Sequence, residues 1–379
     1  MQLGHLKKSN ECPICSGAMT QVMEFPNFPM TELYEPYNAE DFTPKGFVDQ
    51  QFLYCEPCSH GKLGSIVPPE ALYSKDYRTR TSSSVGASHS IQSFYSFLRS
   101  NLDFSNYEVV IDIGGNDCSL LGYFPDKRRI AVDPNAQGDA ELIREYVEKA
   151  DLSQLKREKK LILCSHTLEH LEKPGVLLEK LNKIFCYGDT LAFQFPSLDY
   201  LVKDARIDQI HHQHVHYYSL RSTSLTFARY GFEIVKWAFD PSHYGTLQVI
   251  VRRGLEELKG SPIYINGIKD AHDHFKAQMW SYGAAVDRLE APIGFGASLM
   301  LPVLHYHADL DSLVCIAEQD ETKVGQRWVN FNKPITLPPA VKDRDIAVTA
   351  FNTKLAVRKI VNKLTGEGAR NVVVPFHAL

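Results

Sequence analysis

The chain has 379 residues, of which 44 % are hydrophobic and 23 % are charged, and its formal net charge is −4. The length exceeds what one ordinary hydrophobic core needs and predicts two or three domains. The composition is typical of a soluble globular protein, and the small negative charge argues against nucleic acid as a partner. No run approaches 18 apolar residues and the first ten residues lack an apolar signal core, so we expect a cytoplasmic protein without a membrane partner.

Two Cys-x-x-Cys pairs lie near the start of the chain, Cys12 with Cys15 and Cys55 with Cys58. This spacing lets each pair hold one tetrahedral ion, and together they supply the four ligands of a closed structural Zn²⁺ site. Two redox dithiols or four unrelated buried thiols are the alternatives. A closed site predicts a small, loop-rich, zinc-binding module over residues 1–75. The other cysteines, at positions 118, 164, 186 and 315, are expected to be reduced core residues.

The pattern changes to alternating strands and helices in the next part of the chain. Strands are predicted at Glu108–Ile113, Arg129–Asp133, Lys160–His166 and Thr190–Phe195, and helices at Asp139–Lys149 and Pro174–Ile184. This alternation predicts a parallel, doubly wound sheet in a domain over residues 76–254. Two further strands, Glu233–Phe239 and Thr246–Arg253, would form an antiparallel hairpin at the sheet edge.

A second α/β pattern follows a predicted helix at Ala271–Leu289. Strand candidates lie at Pro292–Ala297, Ser312–Gln319, Asp345–Phe351 and Asn371–Pro375. They predict a smaller Rossmann-like domain over residues 255–379, so the whole chain is expected to be of the α/β class.

One predicted strand runs into a turn that suits a cofactor. Asp112, Gly114, Asn116 and Asp117 belong to this turn, and Asp133 ends the next strand, where an acid can accept hydrogen bonds from ribose hydroxyls. The turn lacks the later glycine of a dinucleotide-binding motif. An acid-rich turn suits S-adenosylmethionine, which carries no phosphate, better than NAD; a tight turn that binds nothing is the third reading.

Four histidines lie close together at positions 211, 212, 214 and 216. In a strand, residues 212, 214 and 216 would share one face and could hold a metal ion. A histidine there could instead act as a general base, or the group could form a polar pocket wall. His166, which ends an earlier predicted strand, is either a residue of the cofactor pocket or a core histidine.

The ordered set of these motifs resembles the zinc-containing sugar C-methyltransferases, which use S-adenosylmethionine on nucleotide-linked keto-sugars. The resemblance covers nearly the whole chain, and its motifs are the two cysteine pairs, Tyr73–Tyr77, Asp112–Asp117, Asp133–Asn135, Ser165–His170, Phe195–Pro196, the histidine segment 207–219, Tyr244–Thr246 and Ile293–Ala297. It implies a class I methyltransferase fold for the central domain and a C-terminal domain that forms a wall of the sugar-nucleotide cleft.

The resemblance also implies roles for particular residues. The proposed base of the family falls on His214, its supporting acid on Gln213, its active-site tyrosine on His211 and its linker tyrosine on Tyr77. Glutamine cannot raise the basicity of a histidine as a carboxylate can, so the acceptor or the attacked position could differ from those of the family. The implied reaction is methylation at carbon 3 beside a 4-keto group, by a monomer or homodimer. O- or N-methyl transfer, a non-catalytic nucleotide-sugar-binding protein and an oxidoreductase are the alternatives.

Overall fold

The computed structural model describes residues 6–38, 41–72, 80–350 and 354–375. The strands in these residues are, in chain order, β1 Lys7–Lys8, β2 Thr20–Pro29, β3 Tyr34–Pro36, β4 Phe47–Cys55, β5 His60–Leu63, β6 Ser65–Ile66, β7 Val109–Ile113, β8 Arg128–Val132, β9 Glu141–Ile143, β10 Lys160–Ser165, β11 Thr190–Phe195, β12 His216–Tyr218, β13 Phe232–Asp240, β14 Thr246–Arg253, β15 Ile293–Phe295, β16 Cys315–Ala317, β17 Gln326–Trp328, β18 Ile335–Thr336, β19 Asp345–Val348 and β20 Asn371–Val373. The α-helices are α1 Pro69–Leu72, α2 Val85–Asn101, α3 Pro174–Ile184, α4 Leu198–Lys203, α5 Leu220–Arg229, α6 Ile265–Val286, α7 Leu301–Ala308 and α8 Lys354–Gly366.

A seven-stranded sheet forms the centre of the molecule. Its strand order is β13-β14-β11-β10-β7-β8-β9, with parallel pairing from β11 through β9 and antiparallel pairing of β14 with both of its neighbours. The predicted doubly wound sheet and its edge hairpin are therefore confirmed. The strand order reverses between β7 and β10, and such a switch point opens a crevice at the carboxyl ends of the strands.

Helices cover both faces of this sheet. On one face, α2 packs Phe94 and Leu98 against residues that include Val110. On the other face, α3 packs Leu177 and Leu181 against residues of β7, β10 and β11. Two helices have clear capping signals: the Ser84 side chain accepts a hydrogen bond from the backbone at the start of α2, and Pro174 occupies the first turn of α3.

One segment that the sequence predicts as helical forms no helix. Residues 139–149 contain β9 followed by turns and bends. β9 extends the central sheet by pairing in parallel with β8, and Arg128 on β8 donates hydrogen bonds of 2.7 and 2.8 Å to the Glu141 carboxylate. Pairing at the sheet edge therefore outweighs the local helical pattern.

The N-terminal module is richer in strand than its composition predicts. β2, β4 and β5 form an antiparallel sheet, and its fourth strand is β12, which comes from the histidine segment far along the chain. In this pairing His216 lies opposite Lys62, and Tyr218 lies opposite His60. The expectation of a loop-rich module is wrong because long-range pairing supplies the order that the local sequence does not show.

The C-terminal part forms a five-stranded, fully parallel sheet in the order β18-β16-β15-β19-β20. Its core is continuous with that of the N-terminal module, because Phe25 and Phe52 of the module join the same cluster as Phe275 of α6 and Ile316 of β16. The domain boundaries expected from sequence stay predictions. No helix within the described ranges combines the length and apolar character that crossing a membrane requires.

Candidate active site

The turn after β7 lies at the switch point of the central sheet. Gly114 has a φ of +78°, a left-handed conformation that glycine adopts without strain. A Cβ atom on Gly114 would lie 1.9 Å from Oγ1 of Thr167, which follows β10. Only glycine therefore lets the two strand ends approach this closely, which the predicted turn requires.

Two carboxylates hold the backbone of this turn. Asp133 accepts hydrogen bonds from the backbone N–H groups of Asn116, at 3.3 Å, and Asn135, at 2.6 Å. Asp117 accepts from the Ser82 backbone N–H at 2.8 Å and from the Ser119 hydroxyl at 2.6 Å. Burial alone would raise the pKa of Asp117, but these hydrogen bonds lower it. Both acids therefore shape the turn as well as facing the crevice.

Asp112, at the end of β7, has a different environment. Its carboxylate is buried, and Oδ1 has no hydrogen-bond partner among the described residues. Burial, followed by the charges of Asp133 and Asp117, raises its pKa well above the ordinary value. A cationic ligand group beside Asp112 would favour the charged carboxylate, so the residue suits the positively charged end of a ligand.

Two adjoining hollows, of about 270 and 160 Å³, occupy the crevice. Gly114, Asn116 and His166 line both of them, so one elongated ligand could extend through both. The smaller hollow is flanked by Asp133 and Tyr146, an acid and an aromatic ring that suit a nucleoside. The residues present therefore fit S-adenosylmethionine. The two hollows are lined by all six predicted cofactor residues, Asp112, Gly114, Asn116, Asp117, Asp133 and His166.

The histidine segment is not a strand before position 216, so its imidazoles do not share a face as predicted. The His212 ring lies between the Gln50 amide, at 3.2 Å, and the Phe28 carbonyl, at 3.1 Å. The His216 ring lies 3.1 Å from the His60 ring nitrogen. These two histidines connect the segment to the N-terminal module, and the metal site on one strand face, one of the three interpretations left open by the sequence, does not form.

His211 and His214 instead line the larger hollow. Their ring centroids are 4.0 Å apart. Burial lowers the pKa of His211 to about 3, and burial with the charges of His211 and His170 keeps the pKa of His214 well below its ordinary value. Both imidazoles are therefore neutral near pH 7 and carry a lone pair that can accept a proton or bind a cation.

Gln213 lies between these histidines and also lines the hollow. Its neighbour is Glu32 of the N-terminal module, which the sequence reasoning missed because the two are far apart in the chain. Burial raises the pKa of Glu32 to about 7, and the Lys323 ammonium and the Gln213 side chain act in the opposite direction. A carboxyl group is therefore present near Gln213 after all. Tyr77, the other predicted catalytic residue, lies outside the described residues.

Glu169 and His170 belong to the motif Ser165–His170, and the sequence alone predicts no role for either residue. Both lie in the short 3₁₀ turn Leu168–His170 after β10, and their side chains approach His214. The C-terminal domain contributes Leu299 and Met300 to the same hollow. Pro69 of the N-terminal module lines the smaller hollow, so all three parts of the chain border the crevice.

The four cysteines of the two pairs come together in the N-terminal module. Their Sγ atoms lie within 4.8 Å of one another, and those of Cys15 and Cys55 are 3.7 Å apart. Zn–S bonds of about 2.3 Å in a tetrahedron place sulfur atoms about 3.8 Å apart. The residues present therefore fit a structural zinc ion, which Cys12, Cys15, Cys55 and Cys58 would hold.

Several known structures are similar to part of this chain. A mitomycin 7-O-methyltransferase matches with 14 % identity and a TM-score of 0.34, over 44 % of this chain and 55 % of its own. A magnesium protoporphyrin IX methyltransferase from Synechocystis with bound SAH matches with 13 % identity and a TM-score of 0.34, over 45 % and 84 %. Human N-acetylserotonin methyltransferase in complex with SAM matches with 13 % identity and a TM-score of 0.31, over 45 % and 57 %. The chain thus spans little more than half the length of the first and third of these proteins.

Comparison of the sequence with protein-family models matches one part of the chain. A search of curated proteins returned no match. Residues 89–236 match the family model of a methyltransferase domain. These residues run from α2 to β13 and contain the turn after β7, the 3₁₀ turn after β10 and the histidine segment. This part of the chain, which contributes every strand of the central sheet except β14, is therefore similar to a methyltransferase domain.

Proposed function

We propose that the protein transfers a methyl group from S-adenosylmethionine to a carbon of a nucleotide-linked keto-deoxy-sugar, next to the keto group. The observation that carries this proposal is the position of the histidine segment. His211 and His214 face the same hollow as Gly114 and Asp112, so a proton acceptor and the cofactor turn border one space.

The cofactor assignment depends on the crevice at the switch point. Asp133 suits the ribose hydroxyls, Tyr146 suits the flank of the adenine, and Asp112 suits the cationic end of the amino acid. When bound, S-adenosylmethionine supplies an activated, electrophilic methyl group. The task of the protein is then to hold the acceptor carbon in line with that methyl and to exclude water.

Carbon methylation beside a ketone also requires loss of a proton from the acceptor carbon. His214 is the base predicted from sequence, and it is neutral as a base must be. The His211 ring lies beside it, where its N–H could stabilise charge that develops on the keto oxygen. Leu299 and Met300 would form the apolar wall against the sugar.

The test is a reaction of the purified protein with S-adenosylmethionine and a panel of nucleotide-linked 4-keto-6-deoxy-sugars, followed by mass spectrometry. We expect one added methyl group that appears only with a keto-sugar. Without the methyl donor, we expect solvent deuterium to exchange into the carbon beside the ketone. Methylation without deuterium exchange would instead indicate an O- or N-methyltransferase and overturn the carbon assignment.

The matched variants are His214→Ala and His274→Ala, the latter at an exposed position on α6. His214→Ala should abolish both methylation and deuterium exchange while leaving cofactor binding intact. His274→Ala should behave as the wild type. Near-normal turnover of His214→Ala would show that His214 has no direct part in the reaction.

A further inference from the structure

An unusual carboxylate lies beside His170 and His214, which line the larger hollow. Glu169 is 1 % exposed, and neither of its carboxylate oxygens has a hydrogen-bond partner in the described part of the chain. Its ion-pair contacts there are with two imidazoles only, His166 Nδ1 at 3.4 Å and His170 Nε2 at 3.9 Å. A buried carboxylate without hydrogen bonds costs several kcal/mol of solvation free energy, which a nearby cation would offset.

Two histidines offer ring nitrogens to the same place. One ligand atom each of Glu169, His170 and His214 lies within 4.8 Å of the other two. A first-row divalent cation with bonds of about 2.0–2.2 Å brings neighbouring ligand atoms to about 3.0–3.6 Å from one another. Side-chain shifts of about 1 Å or less would therefore close the three residues around an ion.

The second ring nitrogen of His170 already has a hydrogen-bond partner. His170 Nδ1 lies 2.7 Å from the Gln213 carbonyl oxygen, and since a carbonyl only accepts, Nδ1 donates its hydrogen there and Nε2 carries the lone pair. Histidines that bind metals characteristically fix their tautomer in this way.

The backbone also holds these side chains together. The Val215 N–H donates to the Glu169 carbonyl at 2.8 Å, so this bond and the His170–Gln213 bond join the two segments on either side of His214. The site is thus built by two segments that are 44 residues apart in sequence but firmly paired in the fold.

We propose that Glu169, His170 and His214 bind one divalent cation of the first transition series, such as Mn²⁺, at the floor of the reaction cleft. Two imidazoles and one carboxylate leave coordination positions open for an oxygen of the acceptor. The cation would stabilise negative charge on that oxygen, whether an enolate or an alkoxide. This role rests on the proposed function, whereas the binding site itself does not.

A bound cation changes the role of His214. In the metal-bound protein its lone pair would lie on the cation, so the role of proton acceptor that the proposed function gives to His214 would pass to a neighbouring imidazole that binds no metal, and His214 would orient the acceptor oxygen. The adjacent His211, whose Nδ1 has no hydrogen-bond partner among the described residues, would then be the nearest imidazole for proton transfer.

The experiment is a titration of the full-length, zinc-containing protein with Mn²⁺, followed by electron paramagnetic resonance of the unbound ion. Mn²⁺ prefers oxygen and nitrogen ligands to thiolates, so the four cysteines do not compete. We expect one saturable site per chain, with nitrogen couplings in the spin-echo spectrum of the bound ion. In Glu169→Gln, and independently in His170→Gln, binding should weaken at least about tenfold.

A matched control uses Asp311→Asn, because His305, Asp309 and Asp311 form a second group of candidate ligands on the surface. Its Mn²⁺ affinity should equal that of the wild type. The proposal is overturned by a lack of saturable binding, by unchanged affinity in a folded Glu169→Gln or His170→Gln variant, or by loss of the site in Asp311→Asn. The titration contains no cofactor or sugar, so failure of the sugar reaction would leave this result untouched.

Discussion

Replacing Gly114 with alanine is expected to disturb the cofactor turn by an amount that the structure allows one to estimate. An alanine in the left-handed conformation costs about 1 kcal/mol. The new Cβ would lie 1.9 Å from the Thr167 hydroxyl oxygen, which must then move away. That hydroxyl has one hydrogen, which the Ile113 and Ser165 carbonyl oxygens share at 3.2 Å each, and losing this shared bond costs about 1 kcal/mol.

The total of about 2 kcal/mol must appear in one of two measurable quantities. If the turn keeps its shape, the free energy of unfolding falls by that amount. If the turn shifts to relieve the clash, the affinity for S-adenosylhomocysteine falls by about 30-fold instead. Calorimetric titration and thermal unfolding of Gly114→Ala together measure both.

Two further variants make this test specific. Gly122→Ala is the control, because a Cβ there meets no described atom within 4 Å, and it should behave as the wild type. Adding Thr167→Ala to Gly114→Ala should restore part of the loss, since it removes the clashing hydroxyl. If Gly114→Ala left both the affinity and the unfolding temperature unchanged, the close approach of the strand ends would be refuted.

Three other predictions concern the surroundings of the cleft. Cys55→Ser should abolish stoichiometric zinc, measured by atomic emission, and lower the unfolding temperature, because a closed site needs all four ligands. The pKa of Glu32 is about 7 in the folded state, above its value in the unfolded chain, so Glu32 stabilises the fold at low pH and this stabilisation is lost as the pH rises through 7. Chemical unfolding at pH 5 and pH 8 should show the loss of free energy of unfolding in the wild type, and Glu32→Gln should remove it. Lys160 and Asp189 form a fully buried ion pair at 2.6 Å, and Asp189→Asn should cost about 3–5 kcal/mol by the same assay.

The sequence predicted most of what depends on local pattern. The strands of both sheets other than β9 and β18, the helix Pro174–Ile184 and the edge hairpin follow from apolar runs of the right length. The turn residue Gly114 and the acid Asp133 could be placed because parallel strands end at a common edge. Helix 139–149 failed because sheet pairing at an edge is a long-range effect that its residues do not reveal.

The histidine segment shows a second kind of limit. Its alternating histidines suggested a strand with one functional face, whereas His212 and His216 anchor the N-terminal module and His214 faces the cleft. The histidines take these different positions because β12 pairs with β5, which lies more than 150 residues earlier in the chain. A single sequence contains no signal for that pairing.

The same pairing explains why three parts of the chain are joined into one reaction cleft. β12 attaches the module that carries Glu32, and the shared core of that module with α6 brings the C-terminal domain, with Met300, over the hollow. Under the proposed function, Glu32 close to Gln213 and Glu169 close to His214 would take the place of the carboxyl group that the resembled family has at position 213. A substitution in one segment can therefore be balanced by residues from distant segments, because the chemistry requires a charge at a position in space and not at a position in the sequence.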